Sequence, residues 1–234
     1  MFFGHAEDVF RDFPALRVGA IAVSGIGAGV DVSERVAPFH ARALERLADM
    51  QEGEFPEIQA WRRAFSKLGL KPTQYRCASE ALLRRLRQEG SLPSIHPVVD
   101  LCNALSAAYA IPIAALDADR VGSELQVRRA TGAESYLAFN GETEHPEPCE
   151  IAFVDNSGRA HARRWTNRQS LYSAMRPETK NVLIVCEALH ESAGEDMTRL
   201  VADLTAELKA VWDGPVVRSV VYDGPGTRFA FGQA

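Results

Sequence analysis

Hydrophobic residues recur with two different periods along the chain, and the change of period comes near its middle. From Val32 to about Met50 the apolar positions Val36, Phe39, Ala43, Leu44 and Leu47 fall on one helical face, with Ser33 as a candidate N-cap. Glu57–Leu68 repeats the pattern through Ile58, Trp61, Ala64, Phe65 and Leu68, and Gly69 with Pro72 marks its end. A third helix is predicted over residues 77–89, stopped by Gly90, and a fourth from about Val98 to Ala110 behind Pro93 and Pro97. Ahead of all four, Leu16–Val23 is a short continuous apolar run of the kind a buried strand makes.

After Pro112 the pattern shortens to strand-like segments: Ile113–Leu116, Leu125–Arg129, Ser135–Phe139, Glu150–Val154 and His161–Trp165. Turns are expected at Asn140-Gly141 and Asn156-Ser157-Gly158. Val182–Cys186 is wholly apolar and predicts a central strand. Met197–Trp212 predicts an amphipathic helix and Val216–Tyr222 a last strand. A helix-rich first half and a strand-rich middle predict an α+β fold: a mixed β-sheet core flanked by helices, with 1–234 read as a single domain.

Composition adds limits. A net charge of −5, from 26 basic and 31 acidic residues, excludes a chain that binds polyanions over its whole surface. Cys77, Cys102, Cys149 and Cys186 are widely spaced without a C-x-x-C pair, which predicts reduced, mostly buried thiols. The first residues lack a basic segment followed by an apolar run, and no stretch is long enough to span a bilayer. A cytoplasmic protein is therefore expected. His145 and Cys149 have no second pair of ligands, and neither a P-loop nor a G-x-S-x-G elbow is present. No metal and no cofactor are expected.

The charge is unevenly spread. Residues 61–88 carry Arg62, Arg63, Lys67, Lys71, Arg76, Arg84, Arg85 and Arg87 against Glu80 alone. Such a segment fits either solvated helix faces or a phosphate-contacting surface. A second cluster, His161-Ala162-Arg163-Arg164-Trp165-Thr166-Asn167-Arg168, sets a tryptophan among arginines. That residue is either a platform for a base or a core side chain flanked by surface arginines. Asp100 and Asp117 are candidates for pinning the core against Arg128.

One block is more specific. Leu92-Pro93-Ser94-Ile95-His96-Pro97-Val98-Val99-Asp100-Leu101-Cys102-Asn103 is followed by Ile111-Pro112-Ile113-Ala114-Ala115-Leu116-Asp117, by Leu125-Gln126-Val127-Arg128-Arg129-Ala130 and by Gly132-Ala133-Glu134. Farther on stands Glu178-Thr179-Lys180-Asn181-Val182-Leu183-Ile184-Val185-Cys186. These segments resemble, in order, the P-I-N-N-V-V-D-V-T-N, Q-P-L-H-A-F-D, I-x-V-R-x-A, G-E and E-T-x-x-V-L-L-E-C patterns of the B3/B4 domain. That domain is the editing module of phenylalanyl-tRNA synthetase β subunits. The likeness extends over about 15–225 and looks like a freestanding member.

The resemblance implies hydrolysis of the ester that joins a wrong amino acid to the tRNA 3′ adenosine, here in trans. It implies Asn103 as the catalytic candidate. It implies a substrate pocket of Ser79, Cys102, Asn103, Ala114, Trp165, Arg168 and Val185, and tRNA contacts from Arg62, Arg63, Lys67, Lys71, Arg76, Arg84 and Arg85. The partner expected is the aminoacylated 3′ end of tRNA. Cys102, Ala114 and Val185 stand where the module has Thr, His and Glu. A buried carboxylate that accepts a phenol hydroxyl discriminates strongly, and valine cannot, so tyrosine specificity is not expected here. An inactive tRNA- or amino-acid-binding module, and a hydrolase of another small ester or amide, are the competing readings.

Overall fold

The computed structural model describes residues 1–232. Strand β1 (Phe2–His5), a short helix α1 (Glu7–Asp12) and strand β2 (Arg17–Ser24) come first. Four helices follow: α2 (Ser33–Asp49), α3 (Pro56–Lys67), α4 (Ala78–Glu89) and α5 (Pro97–Tyr109). Then come β3 (Ile113–Asp117), β4 (Glu124–Arg129), β5 (Tyr136–Leu137), β6 (Thr143–Glu144), β7 (Ile151–Asp155), β8 (Ala160–Arg163), β9 (Arg168–Gln169) and β10 (Asn181–Ala188). Helix α6 (Ala193–Val211), β11 (Val216–Tyr222) and β12 (Phe229–Ala230) close the order.

Local chemistry explains the helix limits. Pro56 and Pro97 occupy first-turn positions, where a missing N–H costs nothing. Gly90 takes the left-handed conformation (φ 74°) that ends α4. His96 caps α5: its Nδ1 accepts the Val98 N–H at 3.3 Å.

The fold is α+β, and its strands divide between two main sheets. One is four-stranded and antiparallel, in the order β11-β2-β10-β3. The other is six-stranded and mixed, in the order β12-β1-β4-β7-β8-β9, with β1 and β4 parallel. Strand alternation gives the four-stranded sheet two buried faces. Leu183 and Val185 of β10 face a core shared with Phe3, Phe153 and Trp165 and with the apolar faces of α3 and α4. Val182, Ile184 and Cys186 face the other way, against Leu101, Cys102 and Leu105 of α5 and Met197, Leu200 and Leu204 of α6. Helix α6 comes so close at Gly19 that a Cβ there would stand 2.5 Å from Val201 Cγ2.

The structure adds α1, β6, β9 and β12 to the elements the sequence pattern marks, and it departs from that pattern in other ways. The N-terminal residues form a strand that pairs with β4 and β12. The strand expected over Ser135–Phe139 contracts to β5. The strand expected over His161–Trp165 stops at Arg163, because Arg164 and Trp165 both turn left-handed (φ 48° and 56°). Cys77, Cys102 and Cys186 are buried free thiols, whereas Cys149 is exposed. No helix among the described residues is long and apolar enough to cross a membrane.

Candidate functional site

A small cavity of about 60 Å³ opens between the β3–β10 edge of the four-stranded sheet and the turn that joins β8 to β9. Ala114 and Val185 are register partners on β3 and β10 and supply its apolar floor. Glu187 lies two residues beyond Val185 and so on the same face. Trp165, Thr166 and Gln169 close it from the turn.

The turn is held in an unfavourable conformation. Left-handed backbone at a residue other than glycine costs about 1–2 kcal/mol. Here the Arg164 N–H donates to Glu150 Oε1 at 2.6 Å and the Trp165 N–H to the Ile151 carbonyl at 2.7 Å. The consequence is that the Trp165 indole points inward. It packs edge-on against Phe13 and Trp61, with centroids 4.8 and 4.9 Å away.

Inside, Trp165 Nε1 donates to Glu187 Oε1 at 2.7 Å. The same oxygen is 2.8 Å from His5 Nε2, and His5 Nδ1 is 2.9 Å from the Tyr222 hydroxyl. Burial, and then the Glu187 charge, push the Tyr222 phenol far above its usual value, so it keeps its proton. A phenol that donates to Nδ1 leaves the Nε2 proton for the carboxylate. The buried chain Tyr222–His5–Glu187–Trp165 thereby ties β11, β1, β10 and the turn together. Its acceptor demand falls on one oxygen: Glu187 Oε2 has no protein hydrogen bond among the described residues. Thr166 also lines the cavity, while its Oγ1 is enclosed by protein without a partner. A mostly apolar space thus has on its lining one carboxylate with an unpaired oxygen.

The residues singled out from sequence do not meet in one place. Ala114, Val185, Trp165 and Arg168 line this cavity; the Arg168 guanidinium reaches Glu144 at 3.2 Å. Ser79 is buried at the start of α4, 3.4 Å from Cys77 Sγ. Cys102 and Asn103 lie on α5, on the opposite face of the sheet, and Asn103 lines a different cavity. The reason is strand alternation: Val185 and Cys186 point to opposite sides, and α5 packs on the Cys186 side. Trp165 is 0% exposed, so no base can stack on it. Arg128 pairs at 2.7 Å with Glu134, not with Asp100 or Asp117. Asp117 instead accepts from Thr179 Oγ1 at 2.7 Å, and Asp100 from Ser94 Oγ at 2.7 Å.

The basic segment is largely neutralised in space. Arg62 and Arg76 both reach the buried Glu80, at 2.6 and 3.5 Å. Arg84 and Arg87 reach Glu52, at 3.9 and 2.7 Å, and Arg85 pairs with Glu89 at 2.9 Å. The Lys67 ammonium donates to the Asp12 carbonyl above the Phe13 ring. Arg63 and Lys71 are exposed and hold no ion pair among the described residues. Among those residues, no group of three or more His, Cys, Asp or Glu is arranged to hold a metal ion.

His5 and Glu187 escaped the sequence reading. A lone acid directly after the apolar run Val182–Cys186 was the available signal for Glu187. His5 offered none, since its partners are distant in the chain.

A family model described as the B3/4 domain matches residues 60–201, a span that includes β3, the β8–β9 turn and β10. Two curated relatives are phenylalanine–tRNA ligase β subunits. The one from Photorhabdus laumondii is 23% identical over 173 residues, which is 73% of this chain and 21% of that protein. The one from Bradyrhizobium diazoefficiens is 35% identical over 79 residues, 34% of this chain and 10% of that protein. The aligned part thus spans at most about a fifth of these relatives. Among solved structures, an N-terminal fragment of the phenylalanyl-tRNA synthetase β subunit from Pyrococcus horikoshii aligns at TM-score 0.42. Its sequence identity is 12%, over 92% of this chain and 50% of that one.

Proposed function

The chain belongs to the B3/4 domain family, and from that membership we propose that it removes a wrongly attached amino acid from tRNA in trans. The observation that carries the reading is the cavity at Glu187, an apolar space with a single free carboxylate oxygen inside the family-matched region. In this reading the aminoacyl side chain enters against Ala114 and Val185. Glu187 Oε2 accepts from the α-ammonium group and so fixes the ester in place for attack. Water adds to that carbonyl carbon, the carbon–oxygen bond to the ribose breaks, and the ribose oxygen takes the proton. Free amino acid and tRNA result.

Cavity size narrows the substrate. A protein cavity of about 150 Å³ admits benzene, and this one holds about 60 Å³. A small aliphatic side chain is therefore favoured over an aromatic one. The reacting centre is assigned to the cavity at Glu187 rather than to Asn103, which lies across the sheet. We assign the tRNA backbone to the α3–α4 face, with Arg63 and Lys71 as its free cations among the seven basic candidates. The whole chain is taken as one such unit, because a single hydrophobic cluster draws on residues from Phe3 to Phe231. The cytoplasm, where charged tRNA is found, is its proposed location.

The test is a panel of correctly and incorrectly charged tRNAs incubated with the full chain. Loss of one ester with a small side chain is expected. Its rate should fall at least about tenfold in Glu187→Gln, and Asn103→Ala should stay near wild type. No turnover with any charged tRNA would overturn the reading. Salt-sensitive tRNA binding without turnover would then identify a binding module, as the missing His and Glu at Ala114 and Val185 would allow.

A further inference from the structure

A second, larger cavity of about 430 Å³ lies on the other side of the four-stranded sheet, at the start of α5, and falls within the usual range of small-molecule sites. Its polar wall holds groups without protein partners. His96 is 5% exposed, its Nδ1 is occupied by the Val98 N–H, and its Nε2 has no partner. In the neutral ring that nitrogen carries the proton, and it is enclosed by protein, so other atoms of the ring line the cavity. Burial lowers the His96 pKa, against the pull of Asp100, and keeps the ring neutral around pH 7. His40 is also on the lining, and its Nε2 is likewise enclosed and unpartnered. The side chain of Asn103 and the guanidinium of Arg176 make no hydrogen bond or ion pair among the described residues, and both line the space.

The lining also carries two carboxylates. Asp100 accepts from Ser94 Oγ and the Ile95 N–H, and Asp31 accepts from the Ser33 N–H and Oγ. Each oxygen retains further acceptor capacity. Two carboxylates against one guanidinium disfavour a dianion, and the unpaired donors disfavour a simple cation. A ligand bearing both signs satisfies both sets. The lining also has an apolar share in Val36, Leu92 and Met175, and Ile95 is 65% exposed.

We propose that this cavity binds a small zwitterion, an α-amino acid with an apolar side chain. Its carboxylate rests on Arg176 and Asn103 beside the His96 ring, its ammonium points toward Asp31 and Asp100, and its side chain covers Val36, Leu92 and Met175. The site is separate from the Glu187 cavity, and its occupancy does not require deacylation.

The experiment titrates the ¹⁵N-labelled full chain with leucine and follows the His96 ring nitrogens by NMR. Two analogues serve as controls: 4-methylpentanoate, which lacks the amino group, and 3-methylbutylamine, which lacks the carboxylate. A saturable leucine shift in the millimolar range is expected. Each analogue should bind about tenfold more weakly, as one lost hydrogen-bonded charge predicts. Arg176→Gln, which breaks no ion pair, should weaken leucine binding similarly, and Asn103→Ala is the independent second variant. Glu187→Gln should leave the titration unchanged, which separates this site from the other cavity. No saturable shift at His96, equal binding of 4-methylpentanoate and leucine, or unchanged affinity in both Arg176→Gln and Asn103→Ala would overturn the proposal.

Discussion

Replacing Glu187 by alanine strands two buried donors, Trp165 Nε1–H and His5 Nε2–H, which now reach its Oε1 at 2.7 and 2.8 Å. A buried donor left without an acceptor costs about 1–3 kcal/mol. The substitution should therefore cost about 2–6 kcal/mol, before any term for the enlarged cavity. In a Trp165→Phe background only the histidine donor is stranded, so the cost of Glu187→Ala should fall by about 1–3 kcal/mol. That difference is the coupling energy of the pair. Glu187→Gln keeps an acceptor and loses only the charge, and should cost less than alanine. Urea unfolding of wild type, both single variants and the double variant measures the cycle. Thermal melts check it, at about 2–4 °C per kcal/mol for a chain of this size. Additivity within about 0.5 kcal/mol would mean that Trp165 does not donate to Glu187 in solution. The buried chain from Tyr222 to the turn would then be refuted, and with it the account of why Oε2 alone is left to face the cavity.

Other outcomes follow from the same geometry. Glu134 accepts the Thr131 and Gly132 N–H groups and pairs with Arg128; burial raises its pKa, but these partners outweigh burial and hold it at about 2, below its usual 4.5. Its stabilisation is thus fully present above about pH 4.5 and lost as pH falls toward 2. Wild type should exceed Glu134→Gln by up to about 3 kcal/mol at pH 7, and the gap should close in acid, as urea titrations at several pH values will read. If tRNA meets only Arg63 and Lys71, the plot of log affinity against log salt should have a slope of about −2; a slope near −6 would mean that the paired arginines also contact phosphate. Gly19→Ala drives a methyl into Val201 and the Met197 sulfur and should cost about 1–3 kcal/mol in urea unfolding. An unaffected variant would show that α6 can move off β2.

The four long helices α2–α5 were legible because their signals are local. Apolar spacing marked the buried faces, and Gly90 or a first-turn proline marked the ends. The block from Leu92 to Glu134 similarly carried the family, since its spacing survives in one continuous stretch. What the linear order could not show was which charges meet. Glu52 and Glu80 quench the cations of α3 and α4 through packing, and a window over residues 61–88 does not contain Glu52. Nor could it show that Asn103 and Val185 lie on opposite sides of one sheet, because that depends on which face of β10 helix α5 covers. The pairing of His5 with Glu187 spans 182 positions. It forms only once β1 has joined the six-stranded sheet and that sheet has closed over β10. The chain by itself determined its longer elements, its family and its α+β class through local periodicity and motif. The site was decided by tertiary structure, because a buried carboxylate takes its chemistry from the donors that packing brings to it.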